Sequence, residues 1–290
     1  VFQISDRVSV LRDGKFIKTV QTAEVDRDEL IRLMVGREVN DTYPKRDFTP
    51  GDVVLELQDV CGNGVEHISF AVRSGEIFGL SGLVGAGRTE TMRMIFGADP
   101  IDSGTVLLNG QPIHPKHPSD AVKLGIGLIP EDRKQQGLLL DLPIFTNISM
   151  ATMKDISRFT VLDSRAEKKN VDRLVEAVTI KTPSVAQLVR NLSGGNQQKV
   201  VLAKWLAANC KVLIFDEPTR GIDVGARHEI YKLMNELCRQ GIAIVMISSD
   251  MEEILGMSDR ILVLCEGQQA GILERQEFSQ ETILSMASGQ

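Results

Sequence analysis

Aromatic side chains are scarce in this 290-residue chain, at 4%, and a basic excess is missing altogether: the formal net charge is −6. The shortage of stacking platforms and of a phosphate-attracting face argues against nucleic acid as the main partner. The four cysteines, Cys61, Cys210, Cys238 and Cys265, lie far apart and offer no metal-ligand spacing. They read as free thiols of a reducing compartment. The four histidines, His67, His114, His117 and His228, are scattered and read as surface residues. The longest apolar run, Ile242 to Ile247, is about six residues, against roughly eighteen for a membrane span. The opening Val1-Phe-Gln-Ile runs almost at once into charged residues and forms no signal-peptide pattern. A soluble protein is expected, one that would serve a membrane only by docking on other subunits.

What is present is an ordinary globular composition, 42% hydrophobic and 25% charged, long enough for one large domain with an appendage. The two ends of the chain resemble each other. Ile4-Ser5-Asp6-Arg7-Val8-Ser-Val10-Leu11-Arg-Asp-Gly14 aligns with Met257-Ser258-Asp259-Arg260-Ile261-Leu-Val263-Leu264-Cys-Glu-Gly267 at a constant offset of 253, and the register continues through Glu24/Glu277 and Gly36/Gly289. Each copy predicts a strand, a tight turn, a second strand and a short amphipathic helix. The first of these helices carries a capping-box-like Asp26-x-x-Glu29 and a Gly36 stop. A period near 250 is too long for a solenoid and points to two homologous domains in tandem. Residues 1–37 then read as the tail of a preceding copy, 38–52 as a polar, proline-bearing linker and 53–290 as the second copy.

Within that second copy, Val53 to Asp59 and Ile68 to Val72 read as strands of an antiparallel flap. No aromatic or histidine lies between Gly51 and Glu66, so His67 is the nearest ring to such a flap's tip. Glu76 to Ser81 predicts a strand, followed by Gly82-Leu-Val-Gly85-Ala86-Gly87-Arg88-Thr89 and a helix with Met92, Ile95 and Phe96 on one face. This is the phosphate-cradling frame G-x-x-x-x-G-K-[ST] with arginine in the lysine position. Its glycines let backbone amides wrap phosphates, and Thr89 would set a hydroxyl on a metal ion. Arg88 is longer and planar, so the exchange is not conservative.

Downstream, Asn191-Leu192-Ser193-Gly194-Gly195-Asn196-Gln197-Gln-Lys199 reads as a turn whose bare amides open onto a helix, striped by Val201, Leu202, Trp205 and Leu206. Val212 to Phe215 predicts a buried strand delivering Asp216 and Glu217 at its carboxyl end, where open α/β sheets place ligands. Leu138 to Leu192 predicts a helical subdomain, its clearest helix starting at a Ser164-x-x-Glu167 box with Val171, Leu174, Val175 and Val178 on one face. Ile242 to Ile247 predicts a strand covered on both faces, ending in Ser248-Ser249-Asp250.

Taken together, these motifs resemble an ATP-binding-cassette (ABC) ATPase. The frame at Gly82–Thr89 matches its Walker A loop, Leu192-Ser-Gly-Gly its signature, Asp216-Glu217 its Walker B end and Arg220-Gly-Ile-Asp223 its D-loop. Pro130-Glu131-Asp-Arg-Lys134 falls at the Q-loop, with Glu131 where a glutamine is usual, and Ser249 stands where efficient family members carry histidine. The longer strings Gly82–Glu90, Pro130–Lys134, Leu192–Lys199 and Asp216–Arg227 are similar to the second cassette of tandem monosaccharide importers, most like the ribose/galactose type. The resemblance implies a P-loop NTPase α/β fold with an antiparallel β flap, a parallel-sheet core and an inserted helical subdomain.

It further implies ATP as ligand, bound through Gly82, Gly85, Ala86, Gly87, Arg88, Thr89 and Glu131. Mg²⁺ would sit on Thr89 and Asp216, with Glu217 and Ser249 in the catalytic positions. Leu192, Ser193, Gly194, Gly195, Asn196, Gln197 and Asp223 would be offered to the site of a facing cassette. Implied partners are the first cassette of the same chain, membrane permease subunits and, indirectly, a periplasmic sugar-binding protein, at the cytoplasmic face of a bacterial inner membrane. Arg88, Glu131 and Ser249 all depart on the side of this cassette's own Walker A, so that site is expected to turn over little while the signature completes the other. Two alternatives stay open: a regulatory cassette that never hydrolyses ATP, and a soluble ABC ATPase of translation or repair.

Overall fold

The computed structural model describes residues 2, 4–12, 15–25, 30, 33, 43–158 and 161–289. The expected capping box at Asp26–Glu29 and the Gly36 stop lie outside them. Near the N-terminus β1 (Arg7–Arg12) pairs antiparallel with β2 (Lys15–Gln21), and Val10, Val25 and Leu30 form a small apolar cluster of their own, apart from the main core. Residues 43–50 are fastened to the large body. The Tyr43 ring lies 5.3 Å from that of Tyr231, Asn235 donates to the Pro44 carbonyl, and Arg46 reaches the Gly75 carbonyl and Asp259.

The large body is built on one sheet. β3 (Val53–Gly62) and β4 (Val65–Arg73) pair antiparallel as expected, each extending beyond its predicted ends. β5 (Ile77–Gly82) runs into the glycine loop and helix α1 (Arg88–Ile95). β6 (Ser103–Leu108) and β7 (Gln111–Ile113) widen the flap on the far side of β3, an addition the sequence reading lacked because both strands are short and half-exposed. β8 (Ile126–Ile129) follows, then the helical region with α2 (Ile144–Ser149) and α3 (Ser164–Ala177). After the helical region come α4 (Gly194–Ala207), β9 (Val212–Asp216), α5 (Val224–Arg239), β10 (Ala243–Ile247), α6 (Met251–Met257), β11 (Arg260–Cys265), β12 (Gln268–Glu274) and α7 (Gln280–Ala287).

The order across the sheet is β7-β6-β3-β4-β12-β11-β5-β10-β9-β8, with β11, β5, β10, β9 and β8 parallel. Every residue of β9 and β10 is buried, which is why these strands read as unbroken apolar runs: helices cover both faces. The phosphate loop and the carboxylates therefore emerge on one edge, at the carboxyl ends of β5 and β9, with β10 between them.

Two local expectations change. α3 is capped by Asp163, whose carboxylate accepts from the Arg165 and Ala166 amides, one residue ahead of the predicted Ser164; Asp is the stronger acceptor for those amides. Val171, Leu174 and Val178 are buried as the periodicity required. α4 is not striped on one side but enclosed around most of its girth, with Gln197, Gln198, Lys199 and Lys204 all buried. Its polar groups survive there because they find carbonyls: Lys199 donates to Thr179 and Lys204 to Gly137. Among the described residues no helix is long and apolar enough to cross a membrane.

Candidate nucleotide site

The loop between β5 and α1 is shaped by backbone that only glycine adopts readily. Gly85 and Gly87 have φ of +82° and +95°, and a Cβ on Gly87 would stand 3.0 Å from Val65 of the flap. Ala86 is tied down on both sides, its amide to the Leu83 carbonyl and its carbonyl to the Gly267 amide. The first amides of α1 have no carbonyl within the helix to meet, and Arg88, Thr89 and Glu90 line the cleft at that helix start, an anion-favouring arrangement.

Opposite this loop, a cleft of roughly 520 Å³ is lined by Val84–Glu90, Glu131, Asp216, Glu217, Arg220, Ile247 and Ser249. The structure thus gathers most of the sequence-derived residues in one place: Gly85, Ala86, Gly87, Arg88 and Thr89 with Glu131, Asp216, Glu217 and Ser249. Gly82 supports the loop from beneath, where an added Cβ would strike the Leu264 carbonyl at 2.5 Å.

Thr89 Oγ1 donates to Asp216 Oδ2 at 3.0 Å, and Ser249 Oγ to Glu217 Oε2 at 3.1 Å. Arg88 is turned toward the end of β10, its Nη1 3.2 Å from the Ser248 carbonyl. Glu217 takes a left-handed φ of +51°, held by its amide's bond to the Ile247 carbonyl, which sets its side chain apart from that of Asp216. Burial drives the Asp216 carboxyl up to about 6, with the neighbouring Glu217 adding to the rise and the Thr89 bond opposing it. A buried carboxylate beside a hydroxyl is a hard-oxygen pair that fits Mg²⁺, which takes one or two carboxylates and fills its shell with water and phosphate oxygens.

Leu192 to Gln197 lies away from this cleft. Ser193 begins α4 with its hydroxyl exposed, while Asn196 binds it and the Lys181 amide, and Gln197 points inward to the Val189 carbonyl. Asp223 caps α5 through the Ala226 amide. The two glycines have a packing reason besides bare amides: a Cβ on Gly195 would meet Ala226 at 2.7 Å, and one on Gly194 would meet the Arg133 guanidinium at 2.7 Å.

Arg133 and Arg220 stand inside the motif strings without an expected role, and the folded chain gives each one. Arg133 is buried and donates to the Arg220 and Gly221 carbonyls, and burial pulls its pKa below the usual arginine range. Arg220 lines the cleft and forms an ion pair with Glu131. The signal was an acid and a base beside two motif strings, visible only once the loops are folded together.

Comparisons agree with this geometry. Residues 65–220 match the protein family described as ABC transporter. Over its whole length the chain is 52% identical to the ribose import ATP-binding protein RbsA of Bacillus licheniformis and 50% identical to that of Bacillus subtilis, and it spans 59% of the length of each. It superposes with a TM-score of 0.71 on an ATP-binding cassette of an ABC transporter in its ADP conformation, at 19% identity over 83% of this chain and 100% of that one. Against cbiO1 of Clostridium perfringens, part of the ABC transporter complex cbiONQ, the TM-score is 0.68 at 24% identity, over 81% of this chain and 93% of that one.

Proposed function

This chain belongs to the ABC transporter family, and from that premise we propose that it is the second cassette of a tandem monosaccharide-importer ATPase, ribose being the candidate sugar. The observation that carries the reading is the cleft that joins the glycine loop, Thr89–Asp216 and Glu217–Ser249 at the ends of neighbouring parallel strands. The ribose import proteins that share half its residues supply the substrate class. Its partners would be the preceding cassette of the same chain, membrane permeases and a periplasmic sugar-binding protein, with the cassette peripheral at the cytoplasmic face.

In this reading the amides of Gly85 to Thr89 hold the ATP phosphates, Thr89 and Asp216 hold Mg²⁺, and Glu217 polarises the attacking water. The metal supplies charge neutralisation at the phosphates. Three groups weaken turnover here. Arg88 already spends a donor on the Ser248 carbonyl, Glu131 brings a negative charge toward phosphate, and Ser249 offers a hydroxyl in place of a titratable ring. Leu192 to Gln197 and Asp223, standing outside the cleft, are then presented to the facing cassette's nucleotide. The weak groups also favour the second reading, a cassette that binds ATP without hydrolysing it.

Measuring ATP binding and ATP turnover by this chain, with Mg²⁺, tests the proposal. Binding with little turnover is expected, and Arg88→Lys combined with Ser249→His should raise the rate. Turnover in the wild type comparable to that of an intact importer ATPase would overturn the assignment of a weak site; hydrolysis absent even with the preceding cassette supplied would favour the regulatory reading.

A further inference from the structure

The Glu131–Arg220 pair explains how a carboxylate can stand inside a phosphate cleft. Glu131 follows β8 and Arg220 follows β9, and these parallel strands are neighbours in the sheet. The flap lies on the opposite side of β5 from β9 and β8. Both side chains line the same cleft as the glycine loop, so a nucleotide lying with its base toward the flap would direct its last phosphate toward Glu131 and Arg220. The backbone that carries Arg220 is clamped. Arg133 binds the Arg220 and Gly221 carbonyls at 2.8 and 3.2 Å, the Arg220 amide bonds the Glu217 carbonyl, and Thr219 Oγ1 donates to the buried Glu253 at 2.9 Å. The side chain is the reverse, 64% exposed and paired at its tip with Glu131. A long cation on a rigid base can turn between a carboxylate and a phosphate, and its planar fork suits either.

We infer that Arg220 is a specificity-determining residue of this site: it neutralises Glu131 and takes the terminal phosphate, so that it selects the triphosphate over the diphosphate. The inference rests on the nucleotide-site reading above. Without Arg220, Glu131 would face the terminal phosphate as an unbalanced like charge, and ADP, one phosphate shorter, would feel that charge far less.

The test titrates ATP and ADP, each with Mg²⁺, into the whole 290-residue chain as wild type, Arg220→Gln, Glu131→Gln and the double variant. Arg220→Gln should weaken ATP by about tenfold or more and ADP by less than about threefold, and adding Glu131→Gln should restore part of the ATP affinity, the part lost to the unbalanced carboxylate. Equal losses for the two nucleotides, or no restoration in the double variant, overturn the inference. Should Arg220→Gln fail to fold by circular dichroism, Glu131→Gln alone decides: ATP binding at least as tight as wild type supports the pair, weaker ATP binding overturns it. A wild type that binds neither nucleotide overturns the nucleotide-site reading as well.

Discussion

Two hairpins in this molecule share a sequence pattern and differ in their surroundings. β1–β2 and β11–β12 are both antiparallel, and each breaks register at the same aligned point, between Val10 and Leu11 in one and between Val263 and Leu264 in the other. Strand pairing and bulge are therefore local properties of the pattern. Burial is not. Leu264 is fully enclosed because β11 pairs with β5, whereas the aligned Leu11 is 63% exposed. Arg260 is held by the buried Glu76, and Asp259 by the Ile77 amide; Asp6 and Arg7 lie exposed. The first hairpin carries the side chains for docking on a sheet, and in the proposed tandem protein the preceding cassette supplies that sheet.

Breaking the ion pair should give the widest gap between the copies. Glu76→Ala takes the carboxylate from Arg260, leaving the half-buried guanidinium only the Ala71 carbonyl among the described residues, and should cost about 3 kcal/mol in urea unfolding. Arg7→Ala should move stability by less than about 0.5 kcal/mol, and a larger cost would reveal a partner for the first hairpin within this chain. Core truncation comes next: Leu264→Ala should cost about 3 kcal/mol, while Leu11→Ala leaves the unfolding midpoint where it was.

A third measurement sets the large body apart by pH. The folded chain keeps the Asp216 proton up to about pH 6, while the unfolded chain releases it near 3.8. The folded state thus binds more protons in that window, and its stability falls as pH rises through it. Asp216→Asn should stabilise the chain by up to about 3 kcal/mol at pH 8 and give almost no gain below pH ~4, with no change in the first hairpin's behaviour. Mg²⁺ should narrow the difference by stabilising the wild type alone. The smallest effect expected is Asp163→Ala, about 1 kcal/mol for the lost cap of α3.

How much of this could be read in advance follows from range. Gly85, Gly87, Asp216 and Glu217 were legible because glycine loops and buried apolar strands declare themselves within a few residues. The bulk of the sheet was legible for the same reason, and the offset of 253 exposed the hairpin kinship. β6 and β7 were not, being short and half-exposed. Nor was the enclosure of α4, since Lys199 and Lys204 look solvent-facing until the Thr179 and Gly137 carbonyls, 20 and 67 positions away, arrive to accept from them. The Arg133 clamp and the Glu131–Arg220 pair join segments some 87 to 89 positions apart, and no local pattern announces them.

The fastening of residues 43–50 has a consequence for assembly. With Tyr43 set against Tyr231 and Leu33 packed in the first hairpin's cluster, only the ten links between those two residues separate the anchored ends, a reach of at most about 35 Å. A leash that short confines whatever is attached to the hairpin to a small volume around this body, at an effective concentration on the order of millimolar. Surfaces that would scarcely find each other in dilute solution then meet as neighbours, however few copies of the protein a cell holds.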